Sequence, residues 1–210
     1  LIVRSSTYQQ AVQGRSKTDW QHAVDTDAAN RFLWRGNVRR LEAESLRDAI
    51  LYVSGQLNDR LGGPSFKDVS VTLNSGTTYY EPIDVDGPDF FRRTVYRFNP
   101  RGGRSALLDT FDCPDPASAA PRRSVTTTPL QSLSLMNNPL VIRMADYFAQ
   151  RVIADVGDKV TLQVDRAWQL AIARHPTESE RRLSESLIRE HGLSALCRGL
   201  FNINEFVAIE

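Results

Sequence analysis

Glu44 and Asp48 stand four residues apart, the spacing that sets two carboxylates side by side on one helix face. In such a pair one acid can rise in pKa and exchange protons while its neighbour stays ionised, which is acid/base chemistry of the kind that cleaves glycosidic bonds. Arg40, Glu42 and Arg47 crowd the same stretch. A solvated face of mixed charge, in which each pair contributes only about 0.2 to 0.5 kcal/mol, is therefore also open, as is a buried ion network.

Asp109, Asp112 and Asp115 recur every third residue in a turn-rich run, which could array oxygens around a calcium ion. The spacing is not that of the helix-loop-helix calcium loop. Local bonds from Asp112 and Asp115 to the turn backbone around Pro114 and Pro116 are the plainer reading, and no metal is expected. Arg122 and Arg123 precede a helix start expected at Pro129, with Thr126, Thr127 and Thr128 between them. Arginine forks, hydroxyls and the unsatisfied N–H groups of a helix N-terminus together suit a sulfate, phosphate or carboxylate. Alternatively the arginine pair neutralises Asp109, Asp112 or Asp115. His22, His175 and His191 are isolated, and neither glycine pair, Gly62-Gly63 nor Gly102-Gly103, has phosphate-loop spacing.

The elements that must position these residues read mainly as helices. Leu46, Ile50, Val53 and Leu57 form one apolar stripe, with Gly62-Gly63-Pro64 as the stop, and Asn30–Arg40 begins that helix or forms a short one with Phe32, Leu33 and Trp34 inward. Val69, Val71 and Leu73 alternate before the turn signal Asn74-Ser75-Gly76, and Thr77–Tyr80 resumes, so a hairpin is expected. Phe90–Phe98 alternates as a third β-prone stretch.

Thr128-Pro129-Leu130-Gln131 is a capping box with proline at the first helical position, and Asn138 can cap a second helix with Val141, Ala145, Phe148 and Val152 inside. Asp158 is expected to cap the next helix, which carries Val164, Trp168, Ala171 and Ile172 and stops at His175-Pro176. Thr177–Glu180 is another capping box, opening a helix with Leu183 and Leu187 inside. Leu193, Leu196, Cys197, Leu200 and Phe201 line the last. The expectation is a mostly α fold with a small antiparallel β insert around residues 66–98 and a C-terminal helical part over 129–206, all in one domain spanning 1–210.

With 210 residues, 41% hydrophobic and 24% charged, the chain can bury a sizeable core. A net charge of +1 supplies no overall field for a polyanion, so no nucleic-acid partner is expected. Among 26 lysines and arginines only Lys17, Lys67 and Lys159 are lysine, a bias that suits anion recognition and equally follows from arginine-rich codon usage. No apolar run approaches the roughly 20 residues of a membrane span. The start at Leu1 rather than Met suggests a piece of a longer protein. Cys113 and Cys197 lack metal or haem spacing, and their pairing is left open.

Thr7-Tyr8, Asn30 with Trp34, Arg40-Leu-Glu-Ala-Glu44 with Arg47-Asp48, Ser54-Gly55 and Gly62-Gly-Pro64 belong to a wider pattern. It continues through Thr110-Phe-Asp-Cys-Pro-Asp115, Arg122-Arg-Ser-Val-Thr-Thr-Thr-Pro-Leu-Gln131, Leu196-Cys-Arg198 and Asn204-Glu-Phe206. Together these resemble the planctomycete-specific C-terminal domain of unknown function, across essentially the whole chain, with the N-terminal part of that domain missing.

The resemblance implies a large exported protein with an upstream cytochrome-c-like module. That places haem c only in the missing module, with no cofactor in this chain, and makes the upstream domains the first expected partner. It also implies an extracytoplasmic setting near polysaccharide. The function expected is a structural or interaction domain, with a carbohydrate or anionic ligand at Arg122, Arg123 and Thr126–Thr128; the rival is an extracytoplasmic enzyme acting on sulfated or acidic polysaccharide through Glu44, Asp48 or Asp112.

Overall fold

The computed structural model describes residues 2–12 and 17–209, which fall into two compact units: Leu1–Leu41 with Val207–Glu210, and Glu42–Phe206. The fold is mostly α, 48% helical, with two small antiparallel pairings of strands.

In the first unit a helix forms over Lys17–Thr26, α1. The expected helix over Asn30–Arg40 does not form. The Asp27 carboxylate accepts the N–H groups of Arg31 and Phe32 at 2.9 and 2.8 Å, and Asn30 donates its amide to the Arg35 carbonyl at 2.9 Å. Short polar side chains that bond their own backbone compete with the helix, and Asn30 and Leu33 take positive φ of 53° and 55°. Phe32 and Leu33 consequently face solvent rather than a core. Trp34 donates its indole N–H to the Asp27 carbonyl and meets Trp20 edge-on at 4.8 Å. The strand pair β1 (Arg39–Arg40) and β4 (Ala208–Ile209) closes this unit, in the register Arg39 to Ile209.

The second unit opens with α2 (Ala43–Val53), which buries Leu46, Ile50 and Val53 as the stripe requires. It ends before the predicted stop: Gly55 takes φ 77°, its N–H reaches the Tyr52 carbonyl, and the Gln56 N–H reaches the Leu51 carbonyl. Those two bonds are a Schellman closure, which a glycine with positive φ makes at low strain. Strands β2 (Val69–Asn74) and β3 (Thr77–Pro82) pair antiparallel across Ser75 and Gly76, both at positive φ as a type I′ turn demands. Only Val69 of the hairpin is buried; Val71, Leu73 and Tyr79 are exposed.

Phe90–Phe98 is not a third strand. It folds around a short 3-10 turn, Thr94–Tyr96, and makes only single bridges, Asn58 to Arg92 and Phe66 to Arg97.

Helices follow: α3 (Ala106–Thr110), α4 (Pro129–Asn137), α5 (Pro139–Val156), α6 (Val160–Ile172), α7 (Glu178–His191), α8 (Leu193–Phe201) and α9 (Asn204–Val207). The centre is α5, whose Val141, Met144, Ala145, Phe148 and Val152 are buried, with Phe148 stacked on Phe201 at 5.6 Å. Three details differ from expectation. Lys159, not Asp158, stands at the N-cap of α6, without a side-chain bond. That helix stops at Ile172 because Ala173 turns left-handed, at φ 58°. On α7 it is Ser184 that is buried, accepting the Trp168 indole N–H at 3.1 Å, while Leu183 faces out. Among the described residues no helix is long and apolar enough to cross a membrane.

Candidate functional site

The signature from Thr110 to Asn138 folds back on itself and onto α2. Asp112 sits in the left-handed region at φ 61°, a conformation that Asp tolerates better than most residues. There its carboxylate accepts the Thr126 N–H at 2.7 Å and the Thr126 hydroxyl at 2.9 Å. Gln131, only 1% exposed, donates its amide to the Thr110 carbonyl at 3.1 Å and to the Thr126 hydroxyl oxygen at 3.2 Å. Its own oxygen accepts the Thr128 N–H at 3.3 Å, completing the capping box of α4. Thr127 lies exposed between these two threonines. Asp115 accepts the Ala117 N–H at 2.8 Å, the local turn bond that the prolines around it suggest. Among the described residues no three His, Cys, Asp or Glu side chains gather as a metal site.

Arg123 reaches across the unit rather than to the neighbouring aspartates. Its guanidinium forks onto Glu44 at 2.7 and 2.8 Å, with Glu42 at 3.4 Å. The fork holds the Glu44 acid below the usual carboxylate range and lifts the arginine above its own. Arg122 is exposed. The Cys113 thiol lies 3.8 Å from Glu44, and burial, reinforced by that carboxylate, pushes it up to about 11. Such a thiol stays protonated near neutrality and is a poor nucleophile.

Asp48 turns away from Glu44. It accepts the Thr94 N–H at 2.7 Å and the Thr94 hydroxyl at 2.6 Å, with Arg93 at 3.5 Å. Glu44, Asp48 and Asp112 therefore each serve a different tie, and the i, i+4 spacing of the first two does not make them a pair.

The buried ion network left open for the helix of Arg47 extends to a cluster of buried guanidiniums with Arg92 and Arg97, which spacing along the chain did not mark. Arg47 donates to the carbonyls of Phe90 and Arg92 at 2.7 and 2.9 Å and to the Thr94 hydroxyl at 3.1 Å. Burial draws its pKa down to about 10 against the opposing pull of Asp48. Arg92 donates to the carbonyls of Pro64, Arg60 and Gly62 and stacks over Tyr96 at 4.1 Å. Arg97 pairs with Asp68 at 2.7 Å. The irregular stretches on either side of the hairpin, 60–64 and 90–92, have carbonyls without a ladder, and these forks supply the missing donors. One signal was available: Arg47 stands three residues before Ile50, on the apolar side of α2.

A family profile described as PSD1, protein of unknown function (DUF1553), matches residues 1–188. The chain belongs to that family. Neither a curated protein nor a solved structure matches it. In this PSD1 domain, the motif residues sit where separate segments are tied together: α2 to the 110–131 run through Glu44 and Arg123, and that run to α4 through Asp112, Thr126 and Gln131.

Proposed function

We propose that this PSD1 domain is a structural and interaction module, which holds a larger exported polypeptide together by docking against the domains that precede it. The observation that carries the reading is an inversion at α4. Polar Gln131 points in and is bonded on all sides, whereas Val125, Leu130 and Leu133 point out at 73%, 62% and 58% exposure. A rigidly tied segment that presents apolar side chains to solvent has the character of a contact surface. The ties of Glu44, Asp48 and Asp112 support this reading over the enzymatic one. Acid/base catalysis on a polysaccharide needs a carboxylate pair facing an open cleft at roughly 5 to 9.5 Å.

The exported setting, the haem-c-bearing module upstream and a planctomycete-type carbohydrate context are part of the same proposal, supported by the motif resemblance from Thr7 to Phe206. The test uses the full-length protein, cross-linked and mapped by mass spectrometry. Cross-links from the upstream domains should converge on 125–133 and disappear in Leu130→Arg with Leu133→Arg, without loss of helical circular dichroism. Cross-links that persist in the double variant, or polysaccharide turnover abolished by Glu44→Gln with the fold intact, would overturn it.

A further inference from the structure

The hairpin of β2 and β3 leaves one of its two edges unguarded. Ile83 donates its N–H to the Asp68 carbonyl at 2.9 Å, which fixes the alternation of the ladder. Ser70 with Glu81, Thr72 with Tyr79 and Asn74 with Thr77 are then the bonded pairs. Val71 and Leu73 of β2, and Thr78 and Tyr80 of β3, therefore turn their N–H and C=O groups outward. The sheet has two strands, and among the described residues no backbone group bonds Val71 or Leu73 from the outer side.

The β3 edge is closed off: Pro82 has no N–H to offer, Glu81 brings a charge, and the half-buried Tyr80 ring lies 6.4 Å from Phe98. The β2 edge has none of these guards. Val71 and Leu73 are 51% and 72% exposed, Thr72 between them is exposed, and from Val69 to Tyr80 no residue is charged or proline. An open edge of this kind is a template for another strand. The side chains of β2 say which strand. Aligned antiparallel about a twofold axis through Thr72, two copies set Val71 against Leu73 on one face, and Thr72 against Thr72 with Ser70 against Asn74 on the other. Apolar meets apolar, polar meets polar, and no charges are opposed. A slip of one residue would turn the outward groups of one copy against the inward groups of the other. A register centred on Val71 would need the backbone of Val69, which is only 3% exposed. The neutral edge also offers nothing to select a charged segment.

We propose that the β2 edge pairs with the β2 edge of a second copy of this chain. The two hairpins then form one antiparallel sheet in the order β3-β2-β2-β3, in which Val71 of each copy exchanges both backbone hydrogen bonds with Leu73 of the other. The contact is short, so the dimer is weak and reversible. It uses a different element from the α4 surface and stands or falls by different measurements.

Analytical ultracentrifugation of the full chain from about 5 to about 500 µM tests it, and the mean mass should rise from monomer towards dimer across that range. Thr72→Lys and Thr72→Glu each place like charges across the axis and should weaken self-association about tenfold or more, with the melting temperature held. An equimolar mixture of the two variants should associate again, which a merely structural effect of either substitution would not produce. Thr72→Cys fixes the register. Residues opposed without a mutual hydrogen bond have Cα atoms about 4.5 Å apart, within disulfide reach, so this variant should dimerise covalently under oxidised glutathione. Tyr79→Cys, on the other strand, should not, and neither should the unsubstituted chain with its free Cys113 and Cys197. Leu130→Arg with Leu133→Arg should leave the dimer as it is. A monomer at every concentration, association indifferent to Thr72→Lys, or no disulfide at Cys-substituted Thr72 would overturn the proposal. So would a monomer whose Val71 and Leu73 amides exchange slowly in the full-length protein, since the edge would then belong to a strand elsewhere in that polypeptide.

Discussion

Two helices of this domain begin with the same device and stabilise it by different physics. At α4 the third residue of the capping box is Gln131, neutral, buried and bonded to the Thr110 carbonyl, the Thr126 hydroxyl and the Thr128 N–H. At α7 it is Glu180, which accepts the Thr177 N–H at 2.7 Å while Arg174 forks onto it at 2.8 and 2.9 Å and onto Glu205 at 2.7 Å. The first box is held by the requirement that buried polar groups be paired. The second is held by charge in partial contact with water. The fork brings Glu180 down to about 2, so the α7 box responds to pH, whereas the α4 box contains nothing that titrates.

The largest effect expected from breaking this contrast is at Gln131. Gln131→Ala removes a buried side chain and leaves the part-buried Thr110 carbonyl and Thr128 N–H without their partner, and should destabilise the domain by about 2 kcal/mol, read from urea unfolding. A loss under about 1 kcal/mol would mean that water replaces the amide. Next comes Arg174→Ala, which frees both glutamates of α7 and α9; the pairs are partly solvated, so about 1 to 2 kcal/mol is expected by the same measurement.

A smaller effect separates the two boxes by pH. The folded pKa of Glu180 lies below its ordinary value of 4.5, so its contribution is present above about pH 4.5 and is lost as pH falls through about 2. Glu180→Gln should therefore lower stability by about 1 kcal/mol at pH 7 and by much less at pH 2.5. An equal loss at both would place the stabilisation in the hydrogen bonds alone. The smallest effect is at Leu183, exposed on α7: Leu183→Lys should shift the melting midpoint by no more than corresponds to about 0.5 kcal/mol.

Both capping boxes were legible in the sequence, as were the Asn138 cap, the hairpin turn and the α5 stripe from Val141 to Val152. The helix expected at Asn30–Arg40 was misread because Asp27 and Asn30 close a loop through bonds that a hydrophobic pattern does not register. Phe90–Phe98 was misread because alternation with arginine looks the same whether the arginines face water or feed buried carbonyls. Of the residues singled out for chemistry, Asp115 makes a local bond of the kind its turn suggests. For Arg123 the sequence offered an anion ligand or neutralisation of Asp109, Asp112 or Asp115; its partner in the fold is Glu44, 79 residues earlier.

What the sequence by itself determined were events within a few residues of each position, namely caps, stops, stripes and turns, because a side chain that bonds its own backbone needs no information from elsewhere. Only the tertiary structure decided which charge meets which, because the partner of an arginine is set by how the elements pack rather than by spacing along the chain. The same packing put Arg47 inside and left Asp68 Oδ1 without a partner.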